Sequence, residues 1–284
     1  MLRAGVGNLG TASPGLYFRT MGQDIIGHIQ SIHLEGFLES HPRIGEILTC
    51  DPPVKLELHD PLSLLSAEST YNQNAFSYVC QVAGTVGEQA SYPYRHLVAS
   101  NVLAAASVQE GGMPKRDFLD PHSSLRLWMV KTVEEWAGKP APKLAFAEEA
   151  CVRMGEAYLW RGERVPKVAD RHAAMLGAHF ASEYLAAQQE FPTMVALFQT
   201  EAPELLQLLR DTREPHFGFS AADWIEGHPA VEVKHAGFAA RAAEAACWQM
   251  DEVTLNGFWE SFYAGFEEFC KNDQQYFLCL ADIA

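Results

Sequence analysis

The sequence predicts an all-α protein, folded as a single-domain helical bundle of about eight helices. Apolar residues recur at helical spacing through most of the 284 residues. Strand signals are few, because no Asn-Gly pair lies between two alternating apolar runs and no repeat is present. No break in composition marks a second domain. We therefore expect a loose Gly-, Ser- and Thr-rich arm over residues 1–20 and one helical domain over residues 21–284.

The helix signals follow one another along the chain. Apolar residues recur at helical spacing over residues 21–40. In the stretch HPRIGEIL that follows, the proline at the second position suits the first turn of a helix. Asp120 is placed as an N-cap and Gly138 as a stop signal of a later helix. Loop residues concentrate in DPPVKLELHDP, EGGMPKRDFLDP, KPAPK and REPHFGFS. The predicted helices cover residues 21–40, 66–84, 96–108, 121–138, 144–160, 168–191, 205–210, 228–249 and 254–280.

Composition excludes several classes of function. The formal net charge is −15 and no dense Lys/Arg run occurs, so binding to nucleic acid or to an anionic membrane is not expected. A small-molecule substrate or a protein partner fits better. The N-terminal residues lack an apolar signal core and no apolar run approaches a membrane span, so we expect neither secretion nor membrane insertion. The six cysteines are scattered without a CxxC pair, which favours reduced thiols in a cytoplasmic protein.

The stretch IEGHPAVEVKHA contains three potential metal ligands, His228, Glu232 and His235. At about 100° per residue they fall at roughly 0°, 40° and −20°, so a helix would present them on one stripe. Gly227 and Pro229 suit a helix that begins at His228. The same face continues through alanines, which favours burial over solvation. Two imidazoles and one carboxylate suit non-heme iron, and they also suit a three-ligand zinc hydrolase.

A second polar stripe lies in RHAAMLGAHFASEYLAAQQEF. His172, His179, Glu183 and Glu190 are spaced so that one helix face carries all four. His172 and Glu190, near the ends, are expected on a solvated face. Glu183 lies among alanines in the middle and is the expected functional carboxylate, with Glu190 as its competitor.

A third region is SVQEGGMPKRDFLDPHSSL. Glu110 ends one predicted helix and His122 begins the next, with glycines between them. The chain can fold back at these glycines, so the two side chains could reach one ion. His122 could equally serve as a helix cap.

The three stretches together resemble the heme-oxygenase-like diiron oxidases and oxygenases. QEGG…DPHSSLRLW is similar to that family's first Glu and His, LGAHFASE to its middle glutamate helix, and HPAVEVKHA to its last ligand helix, although the family usually has Asp at the position of Glu232. The resemblance implies a heme-oxygenase-like bundle, two Fe(II) per chain, O₂ as co-substrate, and catalytic roles for the glutamates. The implied metal ligands are Glu110, His122, Glu183, His228, Glu232 and His235.

The resemblance also implies a small amino-acid-like or fatty-acid-like substrate and an oxidation such as N-oxygenation, desaturation or C–C cleavage, in a biosynthetic pathway. An external electron donor and a homodimer are further expectations. Arg126 and Lys234 are the cations considered as anchors for a substrate carboxylate, and both are expected to face solvent.

Two alternatives from other classes stay open. One is a metal-free hydrolase like the thiaminase-II bundles, which would use Cys151 or Cys247 as a nucleophile. The other is a non-catalytic bundle that binds a ligand or a partner.

Overall fold

The computed structural model describes residues 25–50, 54–107, 121–215 and 218–283. Within these residues the regular structure is helical, apart from one isolated antiparallel bridge between Arg213 and Ser220. The predicted all-α class is confirmed. The expected arm over residues 1–20 and the expected N-cap Asp120 lie outside the described residues.

Among the described residues the helices are more numerous than the roughly eight expected. Residues 66–84, predicted as one helix, belong to two helices separated by a 3₁₀ turn at Asn72–Asn74. The helices are α1 (Ile25–Ser31), α2 (Leu34–Ser40), α3 (Pro42–Cys50), α4 (Pro61–Tyr71), α5 (Ala75–Gly87), α6 (Arg95–Ser107), α7 (Pro121–Ala137), α8 (Ala145–Tyr158), α9 (Arg171–Leu185), α10 (Phe191–Glu201), α11 (Pro203–Asp211), α12 (Asp223–Glu226), α13 (His228–Cys247) and α14 (Glu252–Ala281).

Local sequence signals fix several helix ends. Asp60, Asp170 and Asp251 each accept a hydrogen bond from a backbone N–H of the first turn that follows, as N-cap residues do. Gly138 follows α7 with a φ of 64°, which is the left-handed stop expected of a glycine there.

Helices α9, α13 and α14 form the centre of the molecule, because α9 packs against both of the others. Where α9 crosses α14, a Cβ on Gly177 would overlap the carbonyl oxygen of Phe262, and a Cβ on Gly265 would overlap that of Ala174. Glycine is therefore required on both helices for the two backbones to touch. Helix α6 packs against α13, α8 packs against α14 and α9, and α4 packs against α7 and α8.

Helix α14 is 30 residues long and carries acidic and basic side chains along its length. No helix in the described parts of the chain combines the length and the apolarity needed to cross a bilayer. The Tyr263 hydroxyl of α14 lies 2.8 Å from Nδ1 of His41, and Nε2 of the same imidazole lies 3.3 Å from Glu244 Oε1 of α13. This buried network ties the start of the helical domain to α13 and α14.

Candidate metal centre

The structure brings together three of the predicted ligands. Glu183 comes from α9, and Glu232 and His235 come from α13. Helix α13 begins at His228 with Pro229 in its first turn, as the sequence predicts. The register that follows from this start turns Glu232 and His235 toward α9, and all three side chains are buried.

The spacing of these groups fits one metal ion. One ligand atom from each residue lies within 4.8 Å of the other two. His235 Nδ1 is 3.0 Å from Glu232 Oε2 and 3.5 Å from Glu183 Oε2. Ligands held about 2.0–2.2 Å from a metal are separated from one another by roughly 3–3.5 Å in tetrahedral or octahedral geometry. The three side chains therefore need little movement to share an ion.

The charges of the three groups are coupled. Burial raises the pKa of Glu183 to about 8. Burial opposes a charged His235, but hydrogen bonds with Glu183 and Glu232 outweigh it and raise its pKa to about 10. Burial likewise opposes a charged Glu232, yet the hydrogen bond and charge of His235 lower its pKa to about 2. Protons thus supply the positive charge that two buried carboxylates require, and a divalent cation would supply it in their place.

His179 is a neighbour of this centre that sequence analysis did not place among the ligands. Its Nδ1 lies 3.4 Å from Glu183 Oε1, one helical turn along α9. Burial, together with the charge of His235, lowers the pKa of His179 to about 3, so the imidazole is neutral. Among the described residues, neither of its ring nitrogens has a hydrogen-bond partner. The signal was available in the sequence, since His179 and Glu183 are four residues apart on the same stripe.

His228 lies in the same region but outside the group of three. Its ring stacks on Phe191 at 4.5 Å and tilts against Trp224 at 4.3 Å, between ring centroids. It sits one turn before Glu232 and helps to lower the pKa of that carboxyl. His228 is therefore close enough to the centre to influence it electrostatically.

Two of the expected ligands cannot be placed. Glu110 lies outside the described residues. His122 belongs to the first turn of α7, but its side chain lies outside the description as well.

Glu190 is buried, although it was expected on a solvated face. A π-helical turn, Ala186–Glu190, separates α9 from α10. Pro192 follows it, and its missing N–H and its ring disfavour the regular α-helical hydrogen bond at this point. The wider turn rotates Glu190 by roughly a quarter turn from its place on a continuous α-helix. The seven-residue spacing already places Glu190 about 10 Å from Glu183 along the helix axis, and the rotation also turns Glu190 to another side of the helix.

Glu190 belongs to a second carboxylate cluster, which it forms with Glu68 of α4 and Asp273 of α14. Tyr71 donates a hydrogen bond to Asp273, at 3.0 Å, and Tyr276 donates one to Glu68, at 3.3 Å. Burial, with added repulsion from Asp273, raises the pKa of Glu68 to about 7. Burial also raises that of Asp273 to about 6 and that of Glu190 well above its ordinary value. The carboxyl groups of this cluster therefore retain protons near neutral pH. The sequence contains no periodic pattern that would have identified Glu68 or Asp273 as members of a site.

A cavity with a volume of about 90 Å³ borders the candidate metal centre and Glu190 of the second cluster. Glu183, Glu232 and His235 line one part of it and Glu190 another. Its other lining is largely aromatic and aliphatic, including Phe76, Val79, Met154, Phe191, Trp224 and Phe269. A mostly apolar cleft with a few convergent polar groups is typical of a small-molecule site.

Arg126 also lines this cavity and is only 6% exposed, which corrects the expectation that it faces solvent. Lys234 is exposed, as expected. A clue to the buried position was that Arg126 lies three and seven residues before the buried Met129 and Val133, which is the spacing of one helix face.

The two candidate cysteine nucleophiles lie away from the cavity lining among the described residues. Cys151 Sγ is contacted by the side-chain amides of Gln73 and Asn74. Burial and the Glu244 carboxylate raise the pKa of the Cys247 thiol well above its ordinary value. An activated thiol requires the opposite shift and an adjacent base.

Comparisons of the chain with protein-family models, with curated proteins and with solved structures found no match in any of the three.

Proposed function

We propose that this protein is a non-heme iron enzyme, with a dinuclear site, that uses O₂ to oxidise a small molecule. The observation that carries the proposal is the convergence of Glu183, Glu232 and His235, from two central helices, at the wall of a largely apolar cavity. Carboxylates and an imidazole are ligands that iron accepts, and ferritin-like diiron proteins place such ligands on facing helices of a bundle.

Each side chain has a defined task in this proposal. Glu183 and Glu232 supply anionic oxygen ligands, and His235 supplies a nitrogen ligand between them. Bound Fe(II) would supply electrons for the reduction of O₂. The aromatic side chains of Phe191, Trp224 and Phe269 keep water from the cavity and leave room for the substrate beside the ligands.

The second iron is supported by fewer described contacts than the first. His228 lines the same cavity, one turn before Glu232 on α13, and is a further candidate for a metal ligand. Glu110 and His122 complete the set by resemblance. His179 Nδ1 lies 3.4 Å from Glu183 Oε1, so a small shift would let it donate a hydrogen bond that orients this ligand.

The hydrolase alternative receives less support from the same geometry. Cys151 and Cys247 are buried and are not among the residues that line the cavity, and the pKa of the Cys247 thiol is raised. A zinc hydrolase remains compatible with a three-ligand centre, so the metal and the need for O₂ discriminate between the two enzymes.

The test is anaerobic titration of the full chain with Fe(II), followed by measurement of bound iron and of O₂ consumption. We expect about two irons per chain and O₂ uptake that accelerates with one member of a panel of amino acids and medium-chain carboxylic acids. His235→Ala should lose most of the iron. His59→Ala is the matched control, because that imidazole is 70% exposed on the surface.

Three results would contradict the proposal. Unchanged iron content in His235→Ala would show that the assigned residues do not form the metal centre. Full activity without O₂, or with zinc alone, would identify a hydrolase. Absence of any metal binding and of turnover would favour a bundle that binds a ligand or partner.

A further inference from the structure

The entrance to the cavity can be located from the exposure of the residues that line it. Most of the described lining residues are buried, among them the candidate ligands Glu183, Glu232 and His235. The exposed and half-buried ones lie at the junction of α4 and α5 and on one side of α9 and its π-helical turn. They are Asn72, Gln73, Ala75, Phe76, Ser182 and Ala186. In the described part of the chain, the cavity therefore opens toward the surface between these two segments.

Phe76 is the largest side chain at this entrance, and it is 41% exposed. Val79 follows three residues later on α5, so the two side chains lie on the same side of the helix. Val79 is only 3% exposed and lines the cavity as well. This side of α5 thus passes from the surface into the cavity, and the ring of Phe76 is at its outer end.

The opposite rim of the entrance consists of small side chains. Ser182 and Ala186 lie four residues apart, one near the end of α9 and the other at the start of the π-helical turn. Neither can reach far into the opening, because serine and alanine side chains are among the smallest. The width of the opening therefore depends mainly on the position and size of the Phe76 ring.

The two amide side chains at the entrance are engaged with the protein. Asn72 Nδ2 donates a hydrogen bond to Glu68 Oε1, at 2.5 Å, and Gln73 Nε2 lies 3.8 Å from Cys151 Sγ. Neither amide needs to move when a molecule passes between Phe76 and α9. A molecule wider than the opening would instead have to displace the Phe76 ring, which would cost the van der Waals contacts of its buried part.

We propose that Phe76 determines which molecules enter the cavity, by admitting narrow, unbranched molecules and excluding those that carry a ring. The cavity has a volume of about 90 Å³ and mostly apolar walls, so it suits a small and narrow molecule. The inference goes beyond the proposed function, because it concerns entry into the cavity and not the reaction at the candidate metal centre.

The test measures how fast reagents of two widths reach a cysteine placed in the cavity. Met154 lines the cavity and is buried, so Met154→Cys in the full chain supplies the reporter. Methyl methanethiosulfonate is narrow, benzyl methanethiosulfonate carries a ring, and the exposed native Cys50 gives the reference rate for each reagent. Peptide mass spectrometry follows the two cysteines separately. With Phe76 intact, the benzyl reagent should react with the reporter about tenfold or more slowly than the methyl reagent, after division by the Cys50 rates.

Changes at Phe76 should alter this ratio of rates in both directions. Phe76→Ala should accelerate the benzyl reagent by about tenfold and the methyl reagent by less than about twofold. Phe76→Trp should slow the benzyl reagent further, an effect that a general loosening of the fold would not produce. Leu278→Ala is the matched control, because it shortens an exposed apolar side chain of α14 that does not line the cavity. Ala105→Cys, at another buried position of the wall, is a second reporter if Met154→Cys does not fold.

Three results would overturn the inference. Equal normalised rates of the two reagents with Phe76 intact, or an unchanged ratio in Phe76→Ala, would show that this ring does not select by width. Equal acceleration of both reagents in Phe76→Ala would show a general opening of the fold. No reaction of either reporter with the methyl reagent in any variant would show that this entrance does not lead into the cavity.

The same measurements separate this inference from the proposed function. Selection by Phe76 in a chain that takes up no iron would retain the inference and reject the proposed function. Iron binding and O₂ uptake without selection at Phe76 would do the reverse.

Discussion

Glu183 and Glu190 lie seven residues apart, yet their carboxyl groups contact different partners. Glu183 Oε2 is 3.5 Å from Nδ1 of His235, whereas Glu190 is hydrogen-bonded to Asp273. Their separation of about 10 Å along the helix axis and the π-helical turn between them both contribute to this division. It assigns one carboxyl to the candidate metal centre and the other to a cluster that holds protons.

The first prediction follows from this division. Glu183→Gln should lose most of the bound Fe(II), because the amide replaces an anionic ligand. Glu190→Gln should keep it, since the amide resembles the protonated carboxyl that burial favours at this position. Iron content after anaerobic loading and desalting measures both. Loss of iron in Glu190→Gln alone would show that the ligand assignment is reversed.

The second prediction concerns His179, which lies 3.4 Å from Glu183 but outside the three ligands. His179→Leu should weaken Fe(II) binding by about 10- to 100-fold, because a ligand loses the neighbour that orients it. The stoichiometry at saturating iron should stay that of the wild type. A competition titration with a chelator measures the affinity. The control is His172→Leu, a half-buried imidazole near the start of the same helix. Equal affinities in the wild type and His179→Leu would exclude this role.

The third prediction concerns the pH dependence of stability. The pKa of Glu68 rises from 4.5 to about 7 on folding, so the folded chain binds more protons than the unfolded chain in this range. The stabilisation is complete below about pH 4.5 and is lost as the pH rises through about 7. Glu68→Gln imitates the protonated form. It should therefore be about 1–3 kcal/mol more stable than the wild type at pH 8, and nearly equal to it at pH 4.5.

Urea unfolding of iron-free protein at the two pH values measures this difference. Glu39→Gln, which changes an exposed carboxylate, should leave the stability unchanged at both. A Glu68→Gln protein less stable than the wild type at pH 8 would mean that the ionised carboxylate is the stabilising form.

The fourth prediction concerns the crossing of α9 and α14. Gly265→Ala should destabilise the fold by about 1–3 kcal/mol or more, because its methyl group would overlap the carbonyl oxygen of Ala174. Gly257→Ala, on the same helix, meets no atom within 4 Å and should stabilise it by about 0.5–1 kcal/mol. Chemical denaturation of both variants gives the comparison. Similar stabilities would mean that the two backbones can separate at little cost.

Much of the fold could be predicted from local patterns. The all-α class, the start of α13 at His228 and the stop at Gly138 depend on signals within a few residues of each other. The pairing of Glu232 with His235 follows from helical spacing alone. Glu183, which the sequence favours over Glu190 because it lies among alanines, is the carboxylate that the structure places beside these two residues.

The remaining features depend on contacts between distant segments. Glu68 and Asp273 are more than 200 residues apart, and each is an ordinary acidic residue in its own helix until the helices pack. Arg126 is buried because α12 and its Trp224 lie against α7, a contact that no local pattern encodes. The 3₁₀ turn at Asn72–Asn74 also divides a segment in which the spacing of apolar residues predicts one helix.

Helix α13 buries Glu232 and His235 in its first half, and most of its later buried positions are alanines, at 236, 239, 240, 242, 243, 245 and 246. Each of these positions already holds nearly the smallest side chain, so substitution can hardly create a void and will almost always add volume. A complete mutational scan should therefore show a one-sided tolerance, in which glycine or serine is accepted more often than valine or leucine. The same asymmetry would make this helix slow to change in sequence while the larger side chains opposite it vary.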